Sequence, residues 1–229
     1  MNLTEISDVR SNIIDATIRL LETSGPSEIK ARLVSAEAGR STMALYKHFS
    51  GIPDLLQAVA DEGFRRQAKV FGAVPHSDDA IANLHMFALA CRRFAGGTPH
   101  LYDLMYGLSI HGRYNNLRSA GVETAPLPQI SPAFEEVFAH LLRECTLLVE
   151  SGRIHEQKPA HIALQFWSTV HGFVLLDLAG HLAGVDDPVS DILTTTCLNL
   201  VVGMGAAPDD VKASVAKATL LWKTDRERG

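Results

Sequence analysis

Apolar residues recur three or four positions apart along almost the entire chain. The first such series contains Val9, Ile13, Ile14, Thr17, Leu20 and Leu21. Residues at these spacings share one face of a helix, so the series predicts an amphipathic α-helix. Ser7 or Asp8 can cap its beginning, and Ser24-Gly25-Pro26 can end it. The same pattern predicts further helices at about 28–38, 42–49, 52–71, 78–95, 99–108, 132–151, 159–183, 188–204 and 208–223.

Proline and glycine mark the boundaries of these helices. A proline opens five of the last six predicted helices, at positions 99, 132, 159, 188 and 208. Proline suits the first helical turn, where its missing N–H would have no intrahelical partner. The longest predicted loop covers 111–131, and 224–229 is predicted to be a frayed tail. No segment alternates as a strand does, so the chain is predicted to be all-α.

The second and third predicted helices are separated by a short turn that contains Gly39, as in a helix-turn-helix. Val34 and Ala38 can face the third helix, and Leu45 and Phe49, four residues apart, can point inward. The other residues of the third helix lie near its outer face: Thr42, Met43, Ala44, Tyr46, Lys47 and His48. Small residues early in this helix would let its backbone approach the major groove of DNA, where side chains reach phosphates and base edges.

Two runs in this region resemble the DNA-binding domain of the TetR (tetracycline-repressor-like) family of transcription regulators. They are Ala36-Glu37-Ala38-Gly39-Arg40-Ser41 and Leu45-Tyr46-Lys47-His48-Phe49, followed by Asp54-Leu55-Leu56 and Val59 at the start of that family's fourth helix. The resemblance implies phosphate contacts at Lys30, Arg32, Tyr46 and Lys47. It implies base-edge or close groove contacts at Ser41, Thr42, Met43 and Ala44. Packing alone for Tyr46, a solvated charge for Arg32 and simple exposure for Met43 remain alternatives.

The chain departs from the family pattern at three positions. Arg40 stands in the turn, where a small apolar residue is usual, so either its stem packs while its head reaches a phosphate or the turn geometry differs. Ile52 stands where a basic residue often begins the fourth helix. Ile29 stands where a hydroxyl residue is usual, with Lys30 able to compensate. Each lost phosphate contact would lower the salt dependence of DNA binding by about 0.9 in slope without abolishing recognition.

Two further patterns resemble a C-terminal regulatory domain that occurs in many members of the same family. They are Trp167-Ser168-Thr169-Val170-His171-Gly172 and Pro99-His100-Leu101-Tyr102-Asp103-Leu104-Met105-Tyr106-Gly107. The predicted helices at 159–183 and 188–204 carry wide apolar stripes, which suit either a four-helix dimer interface or a monomer core. The resemblance implies the homodimer. A two-fold dimer would hold its recognition helices about 34–36 Å apart and would read a pseudo-palindromic operator.

Aromatic residues and methionines in the second part of the chain could line a pocket for a small hydrophobic molecule. The predicted ligand-binding residues are Met86, Phe87, Phe94, Tyr102, Met105, Tyr106, Phe138, Phe166, Trp167 and His171. Core packing is the alternative for each of them. For His171 we favour a hydrogen bond to a buried carbonyl over a ligand contact.

Charge and composition exclude several other classes of protein. The formal net charge is −5; residues 1–51 contain six basic and six acidic residues, and the rest contains fifteen and twenty. A neutral head on an acidic body fits a small DNA-contacting module. Three distant cysteines and ten histidines show no disulfide, metal-ligand or catalytic spacing, so no enzyme, cofactor or metal is predicted. No apolar run reaches the roughly 18 residues of a membrane span, and the polar N-terminus is unlike a secretory signal, which predicts a cytoplasmic protein.

We therefore predict an N-terminal three-helix helix-turn-helix DNA-binding domain at 1–51, a C-terminal helical ligand-binding and dimerisation domain at 52–223, and a tail at 224–229. The predicted function is a DNA-binding transcription regulator, a repressor that a small hydrophobic effector releases from double-stranded DNA. One alternative is a regulator without an effector. The other is a helical small-molecule binding protein whose head binds DNA weakly or not at all.

Overall fold

Helices account for nearly all regular structure in the computed structural model, which describes residues 3–106 and 131–228. They are α1 (Leu3–Ser24), α2 (Ala31–Glu37), α3 (Thr42–His48), α4 (Ile52–Gly72), α5 (Ala80–Gly97), α6 (Pro99–Met105), α7 (Pro132–Glu150), α8 (Pro159–Leu178), α9 (Thr195–Gly203) and α10 (Pro208–Arg228). A 3-10 turn at Pro26–Glu28 precedes α2, and a π-helical segment at Val189–Thr194 precedes α9. No strand occurs in these described ranges, and the all-α prediction is confirmed.

The chain forms two compact units. The first contains Met1–Arg66 and Gly97–Glu135, and the second contains Gln67–Gly96 and Glu136–Gly229. The domain boundary placed after residue 51 stays a prediction.

The apolar stripe of α1 forms the centre of the first unit. Ile13, Ile14 and Leu21 are buried, and α1 contacts α2, α3 and α6. The hydroxyl of Thr17, which lies on the same stripe, donates a hydrogen bond to the carbonyl oxygen of Ile13 at 2.7 Å, so its burial leaves no unmet polar group. Burial of each large aliphatic side chain contributes about 1.5–3 kcal/mol, so this stripe anchors the three-helix head.

α6 lies close against α4 within the first unit. A Cβ atom placed on Gly63 of α4 would lie 2.5 Å from Sδ and 2.8 Å from Cγ of Met105. The backbone N–H of Leu101 donates to the carboxylate of Glu22 on α1 at 2.7 Å, and the ring of Phe64 meets that of Tyr106 edge-on at 5.5 Å. Glycine at position 63 therefore allows an approach at which a Cβ atom would force the Met105 side chain to shift.

The second unit joins α5 to α10 through a small core and a polar network beside it. Ala82, Met86 and Ala218 form a buried cluster. The Arg153 guanidinium donates to Asp79 Oδ1 at 2.9 Å, and the Ser214 hydroxyl donates to Asp79 Oδ2 at 2.7 Å. Oδ1 of Asp79 also accepts the backbone N–H groups of Ile81 and Ala82, so one carboxylate both caps α5 and binds α10.

Several predicted boundaries in the first half of the chain are wrong. α1 begins at Leu3, so Ser7 and Asp8 lie inside the helix rather than capping it. The helix predicted at 28–38 is divided, because Lys30 has extended backbone angles (φ −122°, ψ 142°) between the 3-10 turn and α2. α6 ends at Met105 rather than at 108. The long loop predicted at 111–131 lies, apart from Ser131, outside the described residues.

Boundaries in the second half differ for identifiable local reasons. The helix predicted at 159–183 ends at Leu178, because Gly180 adopts a positive φ of 75° and the His181 N–H donates to the Leu176 carbonyl at 3.0 Å. The helix predicted at 188–204 contains the π-helical segment. α10 continues to Arg228, beyond the predicted helix end at 223, and the frayed tail stays a prediction.

Candidate nucleic-acid interface

The third helix begins with a well-formed cap. Ser41 has extended backbone angles (φ −80°, ψ 155°), and its hydroxyl oxygen accepts the backbone N–H of Ala44 at 3.1 Å. A serine cap satisfies a backbone donor that would otherwise lack a partner at the start of a helix. The last turn carries Lys47 and His48, which suit the negative end of the helix dipole. The short recognition helix is therefore defined at both ends by its own residues.

The turn between α2 and α3 is a regular helix ending that accommodates Arg40. Gly39 has a φ of 62°, its N–H donates to the Ala36 carbonyl at 3.1 Å, and the Arg40 N–H donates to the Ser35 carbonyl at 2.8 Å. This pair of bonds is the Schellman arrangement, which requires a residue with positive φ at the position of Gly39. The arginine departs from the family pattern without disturbing this turn, and its side chain is exposed.

Buried residues hold α3 in place and leave its outer face open. Val34 and Leu45 are fully buried, and Phe49 is 2% exposed. Met43 is 81% exposed and Tyr46 is 56% exposed. Of the remaining predicted DNA-binding residues, Lys30, Arg32, Ser41, Thr42 and Lys47 are exposed, and Ala44 and His48 are half-buried. The structure thus brings the predicted groove-facing residues onto one accessible surface, with the apolar residues underneath.

The structure explains the departure at position 29 and gives the surroundings of that at position 52. Ile29 is 5% exposed, so an apolar residue belongs to the core at that position. Lys30 follows it at the N-terminus of α2, where its ammonium lies 3.5 Å from the carboxylate of Glu28. Ile52 is half-buried at the start of α4, and the carboxylate of Asp54 accepts the backbone N–H of Ser50 at 2.8 Å.

One basic residue near α3 was missed by sequence reasoning. Arg10 of α1 is exposed, and its guanidinium lies 5.1 Å from the centroid of the Phe49 ring. A cation over an aromatic face is attracted by the ring quadrupole, which places a positive charge beside the end of the recognition helix. The sequence did not indicate this contact, because Arg10 lies within an amphipathic helix and is distant from Phe49 along the chain.

The predicted ligand-binding residues fall into both compact units. Tyr102, Met105 and Tyr106 belong to the first unit, where the two tyrosine rings lie 4.6 Å apart. In the second unit the Phe138 and Trp167 ring centroids lie 5.8 Å apart, and those of Trp167 and His171 lie 4.3 Å apart. The structure places the remaining four within the second unit as buried side chains: Met86, Phe87, Phe94 and Phe166.

Two histidines of the second unit, the buried His85 and the half-buried His171, are neutral at pH 7. Burial lowers the pKa of His171 to about 3 and that of His85 to about 4. His85 is 4% exposed, and its Nδ1 has no hydrogen-bond partner among the described residues. It borders a small apolar cavity with Phe166, Cys197 and Val211. His85 was not among the predicted residues, since it occupies an ordinary position in an apolar helix.

A groove in the second unit that has polar side chains along its rim was also not identified from the sequence. It lies where the end of α4 and the following segment meet α7, and it contains His76, His140, Arg143 and the buried Glu144. A sequence signal existed, because Glu144 falls three residues after Leu141 and four before Leu148, on the apolar stripe of α7. A carboxylate at such a position needs partners, and the structure supplies them.

The described residues show neither a metal cluster nor a membrane span. They contain no group of three or more His, Cys, Asp or Glu side chains arranged to hold a metal ion. Among the described helices, none combines the length and the apolar character needed to cross a bilayer. The three cysteines are buried and free.

An all-α chain with a capped, outward-facing third helix defines a helix-turn-helix regulator. Two family models match it: bacterial regulatory proteins of the tetR family over residues 13–59, and the tetracyclin repressor-like C-terminal domain over residues 84–200. The chain belongs to the TetR family of DNA-binding transcription regulators.

Individual relatives agree with this family. The chain is 25% identical over 199 residues to an uncharacterized HTH-type transcriptional regulator of Mycobacterium tuberculosis, covering 85% of this chain and 81% of the relative. A solved protein of unknown function from Rhodococcus is 27% identical, with a TM-score of 0.68 over 86% of this chain and 95% of that one. RolR, solved in complex with resorcinol, is 12% identical, with a TM-score of 0.65 over 93% and 96% of the two chains, and it shows the fold alone.

Proposed function

We propose that this regulator acts as a repressor, whose homodimer binds a pseudo-palindromic operator and is released by a small hydrophobic effector. The observation that carries the proposal is the exposed outer face of α3, held by buried Leu45 and Phe49. In such an arrangement the outer face enters the major groove and the buried face keeps the helix in a fixed orientation. The regulator class follows from the family, and the direction of regulation is the proposed part.

The proposed DNA contacts divide by side-chain chemistry. Tyr46, Lys47, Lys30 and Arg32 would contact phosphates, which position the head without reading sequence. Thr42 and Met43 would contact base edges, with Ser41 and Ala44 close to the groove wall and His48 at its margin. The high exposure of Met43 supports a role for an apolar side chain that has no partner surface within its own unit.

Exposed apolar residues of the second unit support the homodimer. Leu164 and Leu176 of α8 are 54% and 47% exposed, and Ile192 of the π-helical segment is 37% exposed. Large aliphatic side chains on neighbouring elements form a surface that a second copy could cover, as in four-helix dimer interfaces. A two-fold arrangement of that kind gives paired heads for paired half-sites.

The proposed effector would bind in the second unit and favour a conformation with lower affinity for DNA. The neighbouring rings of Phe138, Trp167 and His171 supply aromatic surface with one neutral imidazole. Pockets of this composition suit small apolar molecules that carry few polar groups. A protein of the same fold has been solved with resorcinol, which supports this fold's capacity for a small aromatic ligand. The effector would act only through its different affinities for the two conformations.

The central experiment combines Tyr46→Ala with Lys47→Ala. DNA is first selected from a random pool by the unmodified dimer, and gel-shift affinity is then measured for both proteins. Two lost contacts of about 1 kcal/mol each in both heads, about 4 kcal/mol in all, should weaken binding of the dimer by roughly 1,000-fold, and loss of one lysine contact per head should lower the salt slope by about 1.8. The double substitution Lys212→Ala with Leu220→Ala on α10 removes a similar charge and exposed bulk and should leave affinity unchanged.

Unchanged affinity in the α3 double variant, with an intact dimer in sedimentation, would refute the site assignment. If the unmodified protein selects no DNA even at low salt, the alternative of a small-molecule binding protein with a non-binding head is favoured. Repeating the selection with small hydrophobic compounds tests the effector, because a true effector lowers DNA affinity by the same factor by which DNA lowers the affinity for the effector. If no compound does so, the alternative of a regulator without an effector is favoured.

A further inference from the structure

The groove in the second unit is lined by an aromatic and aliphatic floor and a nitrogen-rich rim. It has a volume of about 410 Å³ and is bordered by Phe71, Val74 and Leu147 together with His76, His140 and Arg143. A narrower recess continues from several of these residues to Phe87, Asn83 and Glu144. The groove volume lies in the range of small-molecule sites. Of the described residues lining the groove and the recess, only Phe87 is also among the ligand-binding residues predicted from the sequence.

The rim of this groove is organised by a buried carboxylate. Glu144 is 4% exposed. Its Oε1 accepts from Arg143 Nε at 3.0 Å and Arg143 Nη2 at 2.8 Å, and it lies 3.4 Å from His76 Nε2. Its Oε2 accepts from Asn83 Nδ2 at 2.9 Å. Both carboxylate oxygens are therefore occupied from within the protein, and the guanidinium and the imidazole are held around them.

Asn83 also fixes the segment that carries His76. Its Oδ1 accepts the backbone N–H of Ser77 at 2.9 Å, and its Nδ2 donates to the Ser77 carbonyl at 2.9 Å. Asn83 is 5% exposed and Ser77 is half-buried, so these bonds are partly shielded from water, which strengthens them. The result is a preformed edge that places His76 at the recess entrance.

The lining can accept an anion, because its carboxylate is already paired with its guanidinium and unused N–H donors remain on that guanidinium. Glu144 is the one carboxylate among the described lining residues, and its charge is met by Arg143. The Arg143 side chain remains 58% exposed, and a guanidinium has more N–H donors than the two that bind Glu144. Glu136 acts electrostatically on His140 but does not line the groove. An incoming carboxylate would meet a guanidinium and an imidazole, with no uncompensated acid in the lining.

We propose that this groove binds a small organic carboxylate whose apolar body lies on Phe71, Val74 and Leu147 and whose carboxylate pairs with Arg143 and His76. A planar, bidentate guanidinium suits a carboxylate, and its attachment to Glu144 reduces the conformational entropy lost on binding. The wall of the recess adds aromatic surface, since the Phe71 and Phe87 ring centroids lie 4.1 Å apart. The proposal concerns binding and holds whether or not the ligand alters DNA affinity.

The test compares two probes of almost equal shape by isothermal titration of the full chain without DNA. The probes are 4-phenylbutyrate and its neutral analogue 4-phenylbutyramide. Hydrogen bonds that involve a charged group are the stronger kind, so we expect the carboxylate to bind at least about tenfold more tightly than the amide. Arg143→Met, which keeps the side-chain stem, should remove that preference, and His76→Gln should reduce it.

A matched control is Arg93→Met, which removes an exposed arginine that stacks on Trp222 at 4.6 Å in the same unit. It should leave both affinities unchanged. Circular dichroism establishes whether each variant is folded. If Arg143→Met does not fold, the proposal is tested by the two affinities of the original protein and by those of His76→Gln. Equal affinity for the two probes, no detectable carboxylate binding at millimolar concentration, or a preference that survives in His76→Gln and in folded Arg143→Met would overturn the proposal.

Discussion

Because the imidazole of His85 is buried, we expect the free energy of unfolding to depend on pH in a specific way. Burial lowers its pKa from 6.5 to about 4 in the folded protein, while in the unfolded chain the same group titrates near 6.5. Between these values the unfolded state binds the proton more readily, so the free energy of unfolding falls as the pH drops through this window. This stability is present above the unfolded pKa and is lost progressively toward the folded pKa.

The size of the effect follows from the two pKa values. Between pH 7 and pH 5, His85 alone should lower the free energy of unfolding by roughly 2 kcal/mol. The substitution His85→Leu should remove this contribution. At pH 7 the variant should be at least as stable as the original protein, because Nδ1 of His85 has no partner among the described residues and the replacement leaves no buried polar atom unsatisfied.

The measurement is urea unfolding followed by circular dichroism at pH 7 and pH 5, at one protein concentration because the proposed dimer would make stability concentration-dependent. His161→Gln, on the exposed face of α8, is the control and should keep the full loss. An equal loss in His85→Leu and in the original protein would show that another group is responsible for the pH dependence. His171, whose pKa is also lowered by burial, contributes to the loss that remains.

Two further predictions concern the stability of the first unit: one tests the packing at Gly63 and the other the cap of α3. The Cβ atom introduced by Gly63→Ala would lie 2.5 Å from Met105 Sδ, so overpacking should destabilise the chain by about 1–3 kcal/mol, offset by about 1 kcal/mol of gained helix propensity. Adding Met105→Ala should recover part of this loss in thermal unfolding, and strictly additive effects of the two substitutions would argue against the contact. Ser41→Ala should cost about 1 kcal/mol, because the Ala44 N–H loses its acceptor, whereas Ser41→Asp should keep the cap; equal urea midpoints for the two would show that the cap contributes nothing.

Local chemistry made most of the fold predictable from sequence. The three-and-four spacing of apolar residues and the prolines at 99, 132, 159 and 208 identify helices that the structure contains. Gly39 and Ser41 each act through backbone bonds within a few residues, which is why a sequence pattern reveals them. The outer face of α3 followed from the same local argument.

Features that depend on a backbone register or on distant segments were not predictable in this way. The π-helical segment at Val189–Thr194 keeps an apolar pattern close to that of an α-helix, so the extra residue in its turn leaves no mark in the spacing. The groove residues come from 71–87 and 140–147, and no short pattern unites them. The aromatic residues chosen as ligand contacts illustrate the same limit, because composition does not distinguish a cavity wall from a core.

The burial of all three thiols has a consequence for the chemistry of the folded chain. Burial raises the pKa of Cys145 and of Cys197 to about 12, so almost no thiolate exists at neutral pH, and Cys91 is also buried. Since the thiolate is the reactive form, electrophiles and oxidants should spare the native state and modify the chain only when it opens. Alkylation would then report how often each region unfolds, and a cysteine introduced at an exposed site could carry a label without removal of the natural ones.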